Sequence, residues 1–318
     1  MKTCAIWGAT DLAICQGLIL DNSINLDMHF IGSYDKNSDK CSEMPRPISK
    51  SEVITADIIF SEQRLVESVK RDLAIYINNK NEYPEVLSCQ SFMKDYLNVH
   101  PKAVGNGSGF AHWIVSARKF MNAPIENFFE VGSNYSQDAN FVKQVLGIKD
   151  NNIYCFEGNT NIAKEASEFY SYNSIHSVVS NKNGTMKMYM VPEDAINSGL
   201  STVVNYPTKS EWKTEDVRSI RLDGFMEEEN ISSMDFLKID VEGISYEVLE
   251  GLGQRISDVK CVQLEAEYLN KYEKHAWKDI MGYLISKGFI LVDYCPTSKY
   301  QCDSLWINEE YLDVALTN

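Results

Sequence analysis

Short apolar runs that end in a glycine or an acidic residue, each followed by a stretch with helical spacing, recur along most of this chain. TCAIW (3–7) is closed by Gly8, Leu12 to Leu20 carry apolar positions at helical spacing, and MHFIGSYD (28–35) reads as a second strand. Strand, helix, strand is the opening of a Rossmann-like unit. ISKSEV and DIIF, a polar helix-like run from Ser61 to Asp72, and then LAIYIN continue the alternation, so this first unit is expected to end near Val99. NVHPKAVGNGSG (98–109) breaks the periodicity with a proline and several glycines, and the domain boundary is expected there. A helix over residues 110–121 should open the second unit, in which NFFEV, IYCFE, HSVVS, DFLKID and CVQLEAE are five strand candidates, with helix-like runs after most of them.

Three of those runs carry chemistry at their ends. FFEVGSNYSQDA (128–139), IYCFEGNT (153–160) and DFLKIDVEGISYEVLEG (235–251) each join an apolar strand to acidic residues and a glycine turn. The carboxyl end of a strand is where open α/β sheets bind and react. In this order and spacing the three segments resemble the FkbM family of S-adenosylmethionine-dependent O-methyltransferases, over roughly residues 110–310. The resemblance implies an α/β fold with a Rossmann-like methyltransferase sheet, closed by GFILVDY and SLWIN as an antiparallel hairpin. A smaller Rossmann-like α/β domain precedes it, giving domains over 1–99 and 110–318.

Each part of S-adenosylmethionine then predicts a residue type. Gly132 lets the backbone approach the methionine moiety, with Ser133 and Asn134 forming the polar turn, and Glu130, in the place of the family's motif acid, orients that loop or reaches the amine. Glu157 is expected to accept from the ribose hydroxyls, and Val178 and Val179 to floor the adenine. Two departures from the family stand out: Gly158 replaces a common proline, and Ser136 or Gln137 falls where a second glycine is usual.

For the transfer itself, Asp240 is the expected base or orienting group. Lys238, two residues earlier on the same strand face, either pairs with it or binds an acceptor oxygen, and Glu242 and Glu265 are the next carboxylates for the same rim. Ser201 and Thr202, within SGLSTVVNYPTK (198–209), are expected at the acceptor, and His275 is a further candidate there; His176 is a candidate base. The acceptor class, a small molecule or a glycan precursor of polysaccharide biosynthesis, comes from the family alone.

Composition narrows the partners. A formal net charge of -15 repels polyanions, and Lys70, Arg71, Lys182, Lys187, Lys209 and Lys213 form no basic run, so nucleic acid is not expected. Eight cysteines form no C-x-x-C pair and have no histidine at zinc spacing, so no metal is expected, and free thiols suit a reducing cytosol. The amino-terminal apolar stretch is interrupted by Asp11, and no run is long enough to span a membrane, which points to a cytoplasmic protein.

The first unit is less explicit. WGATDLA has one of the glycines of a G-x-G-x-x-G turn, and Asp11 stands where a pyrophosphate would approach, although Asp35 closes the second strand. A scaffold, dimerisation or acceptor-docking role is preferred. The rival reading makes this unit the catalytic one, a nicotinamide-dependent oxidoreductase acting on nucleotide sugars.

Overall fold

The computed structural model describes residues 2–22, 28–41, 43–77, 83–192, 198–205, 212–269 and 274–313. The chain forms two compact units, one of Met1–Asn98, Asn106–Val115 and Gln144–Gly147, the other of Val99–Gly105, Ser116–Lys143 and Ile148–Asn318. The helix expected over 110–121 runs from Ala111 to Phe120. Among the described residues no helix is long and apolar enough to cross a membrane.

In the first unit, β1 (Lys2–Trp7), β2 (Met28–Tyr34), β3 (Ile58–Ser61) and β4 (Glu85–Ser88) form a parallel sheet in the order β2-β1-β3-β4. Ala5, Trp7, Val53, Ile59, Val69 and Leu73 make its core. ISKSEV is not part of the sheet, because Ser49 and Glu52 form a capping box that starts the helix Lys50–Val53. LAIYIN is not a strand either. Its Leu73 continues the buried Val66–Val69 row of the helix Val66–Tyr76, while Ile75 on the opposite side and Tyr76 at the helix end lie exposed; Asn78 lies outside the described residues. The fourth strand is the short EVLS segment instead.

The second unit is built on a seven-stranded sheet. Its strands are β5 (Phe128–Val131), β6 (Ile153–Glu157), β7 (Asn173–His176), β11 (Phe236–Ile239), β12 (Cys261–Glu267), β13 (Phe289–Pro296) and β14 (Gln301–Asn308). The order is β13-β14-β12-β11-β5-β6-β7, parallel from β12 to β7 and antiparallel where β14 inserts between β12 and β13. Phe128–Val131 and Phe236–Ile239 are buried along their whole length, as central parallel strands covered on both faces must be. Phe129, Phe156, Leu237, Ile239, Val262, Leu264 and Trp306 share one core.

HSVVS, expected as one strand, is two. β7 ends at His176, and Ser177 turns the chain so that Val178–Val179 (β8) leaves the main sheet. It pairs in parallel with β10 (Thr214–Ile220), which runs antiparallel to β9 (Gly184–Tyr189), forming a separate three-stranded sheet. Val178 and Val179 are therefore not on the third strand of the methyltransferase sheet. They are buried at the foot of a small β wall that stands beside the strand tips.

Candidate active site

Three adjacent parallel strands, β6, β5 and β11, end at one edge of the sheet, and backbone hydrogen bonds tie their exits together. The Asp240 N–H donates to Val131 O (2.9 Å), and the Gly132 and Ser133 N–H groups both donate to Phe156 O (2.9 and 3.0 Å). Gly132 has a φ of +80°, and a Cβ there would lie 1.9 Å from the Asp240 carbonyl oxygen. Only glycine permits so close an approach. Beyond it Asn134 and Ser136 also take positive φ values, +48° and +53°, so this turn is built from left-handed residues, two of which are not glycine.

Glu157, at the tip of β6, locks the turn to the next strand. Its carboxylate accepts from the Asn134 N–H (2.8 Å) and the Asn159 N–H (2.7 Å), while Asn159 caps the helix Thr160–Phe169. Burial raises its pKa from the ordinary carboxylate value, opposed by these amides. Gly158 stands where the family commonly has proline. A Cβ at that position would lie 2.6 Å from the Met188 sulfur, so a β9 thioether occupies the room that a side chain at 158 would need.

Beneath the tips lies a buried charge cluster. The Lys238 ammonium pairs with Glu130 (2.9 Å), Asp138 (2.7 Å) and Asp240 (3.1 Å). Glu130 is 1% exposed and its second oxygen accepts from the Ala139 N–H (3.2 Å). Burial pushes the Glu130 carboxyl up to about 7 against the pull of Lys238. Burial also works against the Lys238 charge, but its carboxylate neighbours outweigh that and hold its pKa well above the usual lysine value. Three carboxylates match the three N–H donors of the ammonium, which makes Lys238 a fixed cation.

A second acidic group lies on β12 and β14. Glu265 faces Asp303 across the antiparallel pair and accepts from the Gln301 side chain (2.9 Å). Burial, reinforced by Asp240 and Asp303, pushes Glu265 up to about 8, and burial followed by Asp240 pushes Asp303 up to about 6.

Glu157, Lys238, Asp240, Glu265 and Gln301 open on one cavity of about 450 Å³. Of the residues singled out from the sequence, Gly132, Ser133, Asn134, Glu157, Val178, Val179, Ser201, Thr202, Lys238, Asp240, Glu242 and Glu265 line it. The Asp240 side chain is 54% exposed, the most accessible member of the ion cluster. Ser201 Oγ accepts from the Asn159 side chain and the Val191 N–H, and Thr202 Oγ1 donates to Glu242 O, so both hydroxyls fasten the loop they sit on; residues 206–209 of that segment lie outside the described residues.

Glu130 and His275 are not among the lining residues. Glu130 is the counter-ion of Lys238, and His275 stacks on Tyr246 with ring centroids 4.0 Å apart; part of the helix-like run leading to it, 270–273, lies outside the described residues. His176 lies within hydrogen-bonding distance of Thr160 Oγ1 and Gly158 O. Sequence reasoning missed Asp138, although it lies within FFEVGSNYSQDA, and it missed Gln301, Asp303 and Met188, which belong to no local motif. In the first unit Asp35 accepts from the Ala9 and Asn37 N–H groups (2.8 and 2.7 Å), so the acid at the end of β2 closes its own turns. Among the described residues no His, Cys, Asp or Glu group has the arrangement of a metal site.

Two outcomes follow for this framework. Lys238→Met should cost about 3–5 kcal/mol in denaturant unfolding by stranding Glu130, and the double variant Lys238→Met/Glu130→Gln should recover a large part of that loss. Ser136→Gly should gain about 1 kcal/mol by relieving the left-handed strain, raising the thermal midpoint by about 2–4 °C in calorimetry.

The comparisons with known proteins complete the picture. The structure aligns with that of methyltransferase FkbM from Methylobacillus flagellatus at 11% identity, covering 96% of this chain and 90% of the other, with a TM-score of 0.37. It aligns with TrmK of M. capricolum in complex with S-adenosylhomocysteine at 12% identity, covering 63% and 69%, with a TM-score of 0.36. Fibrillarin of Aeropyrum pernix with bound S-adenosylmethionine aligns at 8% identity, covering 61% and 74%, with a TM-score of 0.37. No curated protein sequence matches the chain. The family model described as the methyltransferase FkbM domain matches residues 94–291, well over half of the sequence and nearly all of the strands that shape the cavity. The chain therefore belongs to the FkbM family of methyltransferases, enzymes whose cofactor is S-adenosylmethionine.

Proposed function

We propose that this enzyme methylates a hydroxyl group, on a sugar or glycan precursor, within the cavity at the tips of β6, β5 and β11. The observation that carries this reading is the convergence of Gly132, Glu157 and Asp240 on one cavity. The residues present fit the cofactor. Gly132 lines the cavity with backbone alone, Glu157 is a largely buried carboxylate with lone pairs left for hydroxyl donors, and the volume lies within the range of small-molecule sites. Ser133 and Asn134 would border the amino-acid end, Glu157 would hold the ribose, and Val178 and Val179 would pack against the adenine.

When bound, S-adenosylmethionine supplies a methyl group on a sulfonium, an electrophile whose departing sulfur keeps the electrons of the broken bond. The protein's part is then to aim a hydroxyl oxygen at that carbon and to take its proton. Positioning provides about 7–11 kcal/mol of such a barrier, a general base about 10²- to 10⁴-fold. Asp240 suits the base role because its carboxylate is accessible at the rim while Lys238, 3.1 Å away, fixes its position. Lys238, with Glu130 and Asp138 behind it, acts as a positioning residue, since its three donors are matched by carboxylates. Glu242 and Glu265 complete the acceptor rim, and Ser201 and Thr202 shape the loop above it. His275, stacked on Tyr246, is better suited to supporting that side of the fold than to touching the acceptor.

All these residues belong to the second unit, so we assign catalysis to it, with residues 1–99 as an amino-terminal scaffold for self-association or acceptor docking. Cys4, Cys15, Cys89, Cys155, Cys261, Cys295 and Cys302 are free thiols, which accords with a cytoplasmic setting. Among the described residues no geometric feature favours the nicotinamide reading.

Glu157→Ala should weaken S-adenosylmethionine binding by about 10- to 100-fold in titration calorimetry, and unchanged affinity would remove it from the cofactor site. Asp240→Asn should lower kcat by about 10²- to 10⁴-fold with cofactor affinity kept, in an assay that follows transfer of a labelled methyl group. Wild-type turnover in that variant would eliminate Asp240 as the base.

A further inference from the structure

The segment Val99–Gly105, where the sequence predicted only a boundary, is part of the second unit and reaches the cavity. Val104 lines that cavity and is 58% exposed, so a large apolar side chain stands where a bound ligand would cover it. Two residues fasten the segment. The largely buried His100 ring lies flat on Tyr135, with centroids 4.4 Å apart and planes at 4°, and meets Phe169 edge-on at 5.0 Å. The His100 N–H donates to the Tyr170 hydroxyl (3.0 Å), and its Nδ1 accepts from the Lys102 N–H (3.3 Å). The Lys102 ammonium in turn pairs with Glu165 on the helix Thr160–Phe169 (2.7 Å). Burial lowers the His100 pKa against the pull of Glu165, so the stacked ring is neutral at neutral pH.

Tyr135 is the centre of the turn that follows β5. Gly132, Ser133, Asn134 and Gln137 line the cavity, whereas Tyr135 is buried and not among the lining residues, its ring stacked on His100 instead. It stands between Asn134 and Ser136, both left-handed, and Ser136 falls where a second glycine is usual in the family. Such conformations are costly for residues other than glycine and persist only where the surroundings hold them. The Asn134 N–H to Glu157 and the Ser136 N–H to Ser133 O hold the backbone on either side, and His100 holds the ring between them. Resting on the methyl-transfer reading, we propose that His100 is a positioning residue: acting through Tyr135, it keeps this glycine-poor turn in the shape that receives the amino-acid end of S-adenosylmethionine.

The experiment titrates two ligands into the full chain by calorimetry: S-adenosylhomocysteine, which carries the amino-acid end, and methylthioadenosine, which shares the adenosine and the thioether but lacks that end. His100→Ala should weaken S-adenosylhomocysteine by about 3- to 10-fold, the scale of a lost ring pair, and methylthioadenosine by less than about 2-fold. His100→Phe, which keeps a flat ring, should bring the affinity back to within about 2-fold of wild type. A residue that only stabilised the fold would lower the unfolding midpoint and leave the ratio of the two affinities where it was. If His100→Ala does not fold, Tyr135→Leu removes the other ring of the stack and should show the same selective loss. Unchanged affinity for S-adenosylhomocysteine in a folded variant, an equal loss for both ligands, or no recovery in His100→Phe would overturn the proposal. A wild-type chain that bound neither ligand would instead sink the site assignment on which it rests.

Discussion

A single ammonium ion organises the catalytic half of this protein. Lys238 is 5% exposed and is held by carboxylates from β5, from the helix Gln137–Leu146 and from the end of its own strand. Taking such a charge out of water is costly, and the cost is met only when its partners are close and its donors are matched. The geometry meets both conditions. As a result the exit of β11, the helix that follows β5 and the middle of β5 cannot shift independently, and Asp240 inherits a defined place at the edge of an otherwise open cavity. The packing of the strands and the shape of the cavity rim draw on the same contact, although it need not add net stability over an apolar core of equal volume.

The backbone supplies the second constraint. At Gly132 two strand exits come so close that no side chain fits between them, and the amides freed by that turn point to Phe156 O and to Glu157. A surface made of close backbone and a buried acid suits a ligand rich in hydroxyl and ammonium groups. The wall opposite is different in kind, with Val178, Met188 and Ile244 packed in the smaller sheet's core. Polar edge and apolar wall together fit a molecule that is charged at one end and flat and aromatic at the other.

Much of this was legible in the residue order. The tips of β5, β6 and β11 could be found because a buried parallel strand reads as an unbroken apolar run, and the acid or glycine after it marks the exit. The smaller sheet could not be read that way. In GTMKMY only Met188 is fully buried, and TEDVRSI exposes its first half, so neither shows the run or strict alternation that reasoning needs. HSVVS misled for a related reason: Val178 packs in the core of another sheet, while Val179 packs in the main one. The job of Glu130 was hidden by distance, since its partner lies 108 residues away. Gln301 joined the rim, and Asp303 came to face Glu265, through strand pairing alone, which no local motif records.

Gly158 and Met188 share one volume. A Cβ at position 158 would meet the Met188 sulfur at 2.6 Å and the Val178 side chain at 3.1 Å. The contact is with the far end of a flexible side chain, so a residue added at 158 is accommodated once Met188 swings aside, and the two positions are coupled without being locked. The soft, unbranched sulfur chain is the member able to adjust, which makes the shape of this wall adaptable where the strand tips facing it are not.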